Sequence, residues 1–269
     1  MDMTEEKPVF DLNRHTARLL MNEPFFAALS RRMDKRASTA VPTAGVRVNP
    51  DTGHFEMIYN PDFFAKLSDE HRAGVLKHEF YHLVFEHVTG RLPEEGMTKK
   101  WNFATDLAIN SHLINELPEG ALIPGQGPFA ELPVGKSAEW YFANLPENDE
   151  GEGEGDGEGG QGEPSDEEGQ GQGGAGDGEP QEGEGSGGGG EPQEFDDHSG
   201  WGDADNTANE IAKQRLKEAI KDAAGEASKA GNWGTVSGEC RKEILDRLTA
   251  KVDWKKVLRY FIKTSQRAN

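Results

Sequence analysis

Residues 76–87 read LKHEFYHLVFEH and set His78, Glu79 and His82 in HExxH order, with His87 five positions later. On a helix each residue advances about 100°, so with His78 at zero His82 falls at about 40° and Glu79 at about 100°. Two imidazoles one turn apart on one face can chelate a single divalent ion. A carboxylate beside them can take a proton from a water that the ion activates, which is the chemistry of metal-assisted hydrolysis. Leu76, Phe80, Leu83 and Val84 fall between about 140° and about 240° and form an opposite, core-facing stripe.

An ion held this way needs a third protein ligand. Glu86 shares the face, but it stands eight residues from His78, about 12 Å along the axis, too far for bonds of about 2.0–2.2 Å to one ion. His87 falls at about 180°, toward the core. With no glycine between His82 and His87 to end the helix, a structural, hydrogen-bonded His87 supporting a ligand is expected rather than a ligating one. Asp106, in WNFATDLAIN, sits on a separate helical stretch and can approach from another side. Asn110 follows it at i+4 on the same face. This arrangement resembles that of gluzincins, where a second helix gives a carboxylate ligand and then a polar residue that orients a ligand histidine. The expected set is His78, His82 and Asp106 on the metal, Glu79 as catalytic base, and Asn110 and His87 behind the ligands.

The elements that must position these residues can be read on either side. LNRHTARLLMNEPFFAALSRRM is helical with a break near Pro24, and AGVRVNPDTGHFEMIYNP is a hairpin with Phe55, Met57 and Tyr59 on one face. LSDEHRAGVLKHEFYHLVFEHVTG is one long helix, capped by Ser68 and stopped at Gly90. KWNFATDLAINSHLINEL is a second helix, ended by Pro118, and SAEWYFANL a shorter third. NTANEIAKQRLKEAIKDAAGEASKAG is helical, and one or two further helices follow with Ile244, Leu245, Leu248 and Val252 as the buried stripe. Trp233 and Trp254 read as packing residues.

Composition separates three parts: 1–146, a tract at 147–200 and a helical region at 201–269. The formal charge of −20 is a poor average, because residues 147–197 hold 19 of the 49 acidic residues and no Lys or Arg. The remainder carries 30 acidic against 29 basic residues. A near-neutral body with an acidic, Gly-rich tract argues against nucleic acid as a partner, since phosphate binding needs clustered cations. The tract reads as a disordered linker, too poor in apolar residues to offset its chain entropy. One cysteine, Cys240, excludes an internal disulfide and a Cys-based metal site. No secretory signal and no apolar run of membrane-spanning length is evident, so a cytoplasmic chain with no membrane partner is expected.

Taken together, HEFYHLVFEHVTGR and WNFATDLAIN resemble a predicted metallopeptidase family whose members often carry a C-terminal von Willebrand factor A-like domain. His78, Glu79, His82, His87, Arg91, Trp101, Asn102, Asp106, Ile109 and Asn110 match its pattern. The resemblance covers most of 10–146 and, more weakly, 205–264. It implies an α+β, zincin-like fold, mainly helical with a small hairpin or sheet, and a bound Zn2+. The Asp-x-Ser-x-Ser motif of the A-like domain does not occur here.

The expected function is a zinc-dependent peptidase in which Glu79 deprotonates a metal-activated water and an extended peptide or protein substrate pairs with the 54–59 strand. The alternatives are a catalytically inactive, metal-stabilised binding or assembly protein working with a partner such as an ATPase, and a histidine-rich helix that holds no metal.

Overall fold

A computed structural model describes residues 10–93, 96–146, 198, 201 and 206–249. Within the expected linker at 147–200 only His198 is described; the rest of it, and the stretch containing Val252 and Trp254, lie outside the described residues. The fold is about half helical with one small sheet, as expected.

Helices α1 (Leu12–Leu19) and α2 (Pro24–Ser30) divide where Pro24 takes the first helical position, a place where its missing N–H costs nothing. Three strands follow: β1 (Asp34–Ala37), β2 (Ala44–Val48) and β3 (Phe55–Tyr59). Asn49 shapes the β2–β3 turn by accepting from the backbone N–H groups of Asp51 and Thr52. Gly53 supplies the positive φ of 61° that closes it. Phe55, Met57 and Tyr59 are all buried, as the alternation requires.

The sheet order is β1-β3-β2, with β1 parallel and β2 antiparallel to β3. β3 is therefore central, and both its edges are taken. The expected substrate edge at 54–59 is corrected: the edge strand beside α4 is β2. Its register pairs Val46 with Met57, while Asn49 N–H donates to His54 O and Asn60 N–H to Thr43 O. The hydrogen-bonded pairs alternate from those two, so the backbone groups of residues 44, 46 and 48 point away from β3.

A short α3 (Pro61–Lys66), capped by the Asn60 side chain, leads to α4 (Asp69–Val84), whose first turn is capped by Ser68 Oγ. Every residue of α4 from Gly74 to Val84 is buried, so the helix has no solvent face over the motif. It runs through the centre, against α1, α2, α5, α7 and β2. α5 (Lys99–Asn110) crosses it, and α6 (Ala138–Asn144) covers α5.

α7 (Asn206–Ala230) lies along α2. Ala212, Leu216, Ala219, Ile220, Ala223 and Ala227 recur at three and four residues and form its buried stripe. Trp233 then stacks on Phe25, with ring centroids 5.4 Å apart. Beneath it the buried ammonium of Lys77 meets Glu116, Thr235 Oγ1 at 2.9 Å and Glu23 Oε1 at 3.4 Å, and Glu23 also accepts from the Thr235 N–H. The chain after the acidic tract thus packs on the chain before it.

In α8 (Gly238–Thr249) Cys240 and Ile244 are buried and Leu248 packs partly buried against the core, so of the expected stripe Leu245, 40% exposed, is the described residue that falls outside it. Burial pushes the Cys240 thiol up to about 12. The reactive thiolate is then negligible at pH 8. The folded chain should give no reaction with a disulfide reagent such as DTNB at that pH, and one thiol per chain after denaturation. Rapid native labelling would mean that α8 is not seated on the body.

Candidate metal centre

His78 and His82 project from consecutive turns of α4, and Asp106 comes from α5 to meet them. All three side chains are wholly buried. His78 Nε2 and His82 Nε2 lie 3.0 Å apart, and Asp106 Oδ1 is 3.7 Å from the first and 3.5 Å from the second. Donor atoms about 2.0–2.1 Å from a tetrahedral ion stand about 3.3 Å from one another. The three spacings bracket that value, so the residues present fit a metal ion.

Each ring is held from behind. Asn110 Nδ2 donates to the carbonyl of Leu122 at 2.9 Å, which turns its Oδ1 toward His78 Nδ1 at 2.7 Å. An oxygen there can only accept, so His78 carries its proton on Nδ1 and keeps the Nε2 lone pair for the centre. On the other ring, His82 Nδ1 lies 3.3 Å from His87 Nδ1. Burial holds the His87 pKa well below its ordinary value, so the ring is neutral and can accept from His82.

His87 reaches that position because α4 ends earlier than expected. The helix stops at Val84, not at Gly90. Glu86, with φ of 59°, takes the left-handed conformation usually given to glycine. Its N–H donates to Leu83 O and the N–H of His87 to His82 O, the hydrogen-bond pattern of a Schellman cap. A non-glycine residue there costs roughly 1–2 kcal/mol. The side chain of Glu86 is exposed, while the next ring turns back under His82.

Trp101 packs edge-on to His87, and Arg91 holds Glu139 of α6 while donating to Phe85 O at 3.2 Å. Glu79 is wholly buried, one residue along α4 from His78. Tyr81, on the same helix, is packed by Phe26, Phe85 and His112 and interacts with Cys240.

Sequence reading missed one residue. His198, assigned there to the linker, is only 2% exposed and brings a ring nitrogen to the same group, so that His78, His82, Asp106 and His198 each offer a donor atom within 4.8 Å of the others. Its ring lies 4.4 Å from that of His82 and stacks on Trp201 at 3.9 Å. The signal was present in DDHSGW, where histidine and tryptophan return together after a tract without aromatic residues until Phe195. No helix among the described residues is long and apolar enough to cross a membrane.

Residues 10–269 match a family model described as "Putative metallopeptidase domain". No curated protein and no solved structure matches the chain.

Proposed function

Because the chain belongs to this family of metallopeptidase domains, we propose that it is a zinc-dependent peptidase acting on extended peptide segments. The observation that carries the reading is the convergence of His78, His82 and Asp106 from two crossing helices at spacings suited to one ion. Zn2+ held there supplies a Lewis acid that acidifies water and polarises a carbonyl.

The rest falls to the chain. Asn110 and His87 fix the two ligand rings and leave their Nε2 atoms facing the centre. Glu79 accepts the proton of the attacking water and returns it to the leaving amine nitrogen. The outward backbone groups of β2, at Ala44, Val46 and Val48, offer an extended substrate a strand to pair with. Burial of the whole motif excludes bulk water and strengthens every electrostatic contact in it.

The fourth donor, His198, favours a second reading, in which the ion is purely structural and the protein binds or assembles with a partner. Full-length protein purified without a histidine tag should carry one Zn2+ per chain. Chelation should abolish hydrolysis of an unstructured protein substrate, and added Zn2+ should restore it. A metal content near zero sinks both readings, whereas one Zn2+ with no hydrolysis leaves the structural one.

A further inference from the structure

The outward face of β2 and the metal group are both engaged by one turn of this chain. Residues 198 and 201 close that turn, with the Trp201 N–H donating to His198 O at 3.0 Å. The imidazole enters the donor group, and the Trp201 indole Nε1 donates to Val46 O at 2.7 Å. Val46 is one of the strand residues whose backbone points away from the sheet, the bond an extended peptide would make. The same turn therefore covers the two features on which the peptidase reading depends.

Its attachment differs from that of the other ligands. His78, His82 and Asp106 stand on helices of the central core, and the first two rings are braced by Asn110 and His87. His198 and Trp201 lie outside those helices: their rings stack 3.9 Å apart, both meet the His82 ring edge-on, and the indole donates to Val46 O. A hydrolytic ion keeps a position open, and four protein donors fill a tetrahedral one.

We infer that His198 is a displaceable fourth metal ligand and that, with Trp201 on the edge of β2, it forms an internal plug holding the enzyme latent until an extended peptide takes its place. This rests on the peptidase reading for its consequence, but its structural content is tested separately.

The test uses Zn2+-loaded full-length chains with His198→Ala and Trp201→Phe. X-ray absorption should count three imidazoles on the ion in the parent and two in His198→Ala. Acetohydroxamate, a small zinc-binding probe, should bind His198→Ala about tenfold more tightly or better, since a closed state populated nine-tenths or more weakens apparent affinity by that factor. Trp201→Phe keeps an aromatic ring but loses the bond to Val46, and should bind the probe several-fold more tightly with the imidazole count reduced or unchanged.

An equal imidazole count and equal probe affinity in the parent and His198→Ala would overturn the inference. So would loss of zinc from a folded His198→Ala, which would make His198 a permanent structural ligand. If His198→Ala does not fold, Trp201→Phe decides, and no gain in probe affinity there counts against the plug. Hydrolysis that depends on Glu79 should rise in His198→Ala. If the centre opens by both readouts without hydrolysis, the plug stands and the peptidase assignment fails.

Discussion

Replacing Glu79 by Gln is expected to leave one Zn2+ per chain and to lower peptide hydrolysis by about 10³-fold, near the middle of the range for a general base. That loss corresponds to about 4 kcal/mol of transition-state stabilisation. The substitution changes the basicity of residue 79 and little else. The amide has nearly the shape of the carboxylate, so packing around a fully buried side chain is conserved. It is not a base, and it cannot carry the proton from water to the leaving nitrogen. Near-equal shape predicts a Tm close to the parent's, and the thermal scan separates loss of the base from loss of the fold. The measurement is hydrolysis of an unstructured protein alongside metal content and a thermal scan. A variant that cleaves at the parental rate removes Glu79 from the mechanism.

Gly74→Ala should be strongly destabilising. In an ordinary helix, alanine is favoured over glycine by about 1 kcal/mol. Here a Cβ at 74 would stand 1.9 Å from the carbonyl oxygen of Glu116 and 2.7 Å from its carbonyl carbon. These are backbone atoms, which cannot rotate aside as a side chain could. α4 and the segment after α5 would have to separate, and α5 carries Asp106 and Asn110. A destabilisation of about 3 kcal/mol is expected, at the upper end of overpacking costs, with the helical gain already subtracted. For a body of this size that is a fall in Tm of about 6–12 °C. Gly225, within α7, has nothing within 4 Å of its added Cβ and serves as the control. Gly225→Ala should raise Tm slightly, as helix propensity alone dictates. If Gly74→Ala is stabilising too, the close approach of the two segments is wrong.

How far the sequence reached depended on whether the deciding physics was local. Ser68, Pro24 and the apolar periods of α4 and α7 are local signals, and those elements lie where they predict. β1 was missed because Asp34–Ala37 is polar and mostly exposed, and only a parallel neighbour from residues 56–59 makes it a strand. The helix expected to run to Pro118 ends at Asn110. Ser111 there ties Leu107 O, Tyr141 Oη and the N–H of Gly135 together, and Glu116 lies against Gly74. The end of α4 was misplaced because a left-handed glutamate leaves no mark in a sequence scanned for glycine.

At the centre, i+4 spacing was enough to bring together His78 with His82 and Asp106 with Asn110, because each pair lies on one helix. The meeting of those two helices could be expected only from the resemblance. His198 was not foreseen, because it follows some fifty residues with no periodicity to connect it to the core.

The Lys77 cluster bears on what makes the protein one object. A buried ammonium shared by Glu23, Glu116 and Thr235 joins segments that the acidic tract separates in the chain. Pulling the later segment away would take Thr235 from that group and break its two hydrogen bonds, to the ammonium of Lys77 and the carboxylate of Glu23, each worth about 1.5–3 kcal/mol as bonds to charged groups. Trp233 would have to leave Phe25 at the same time. Covalent continuity across the tract is thus not what keeps the halves in register. A molecule nicked there would persist as a two-piece particle, with three donors of the metal group on one fragment and His198 on the other.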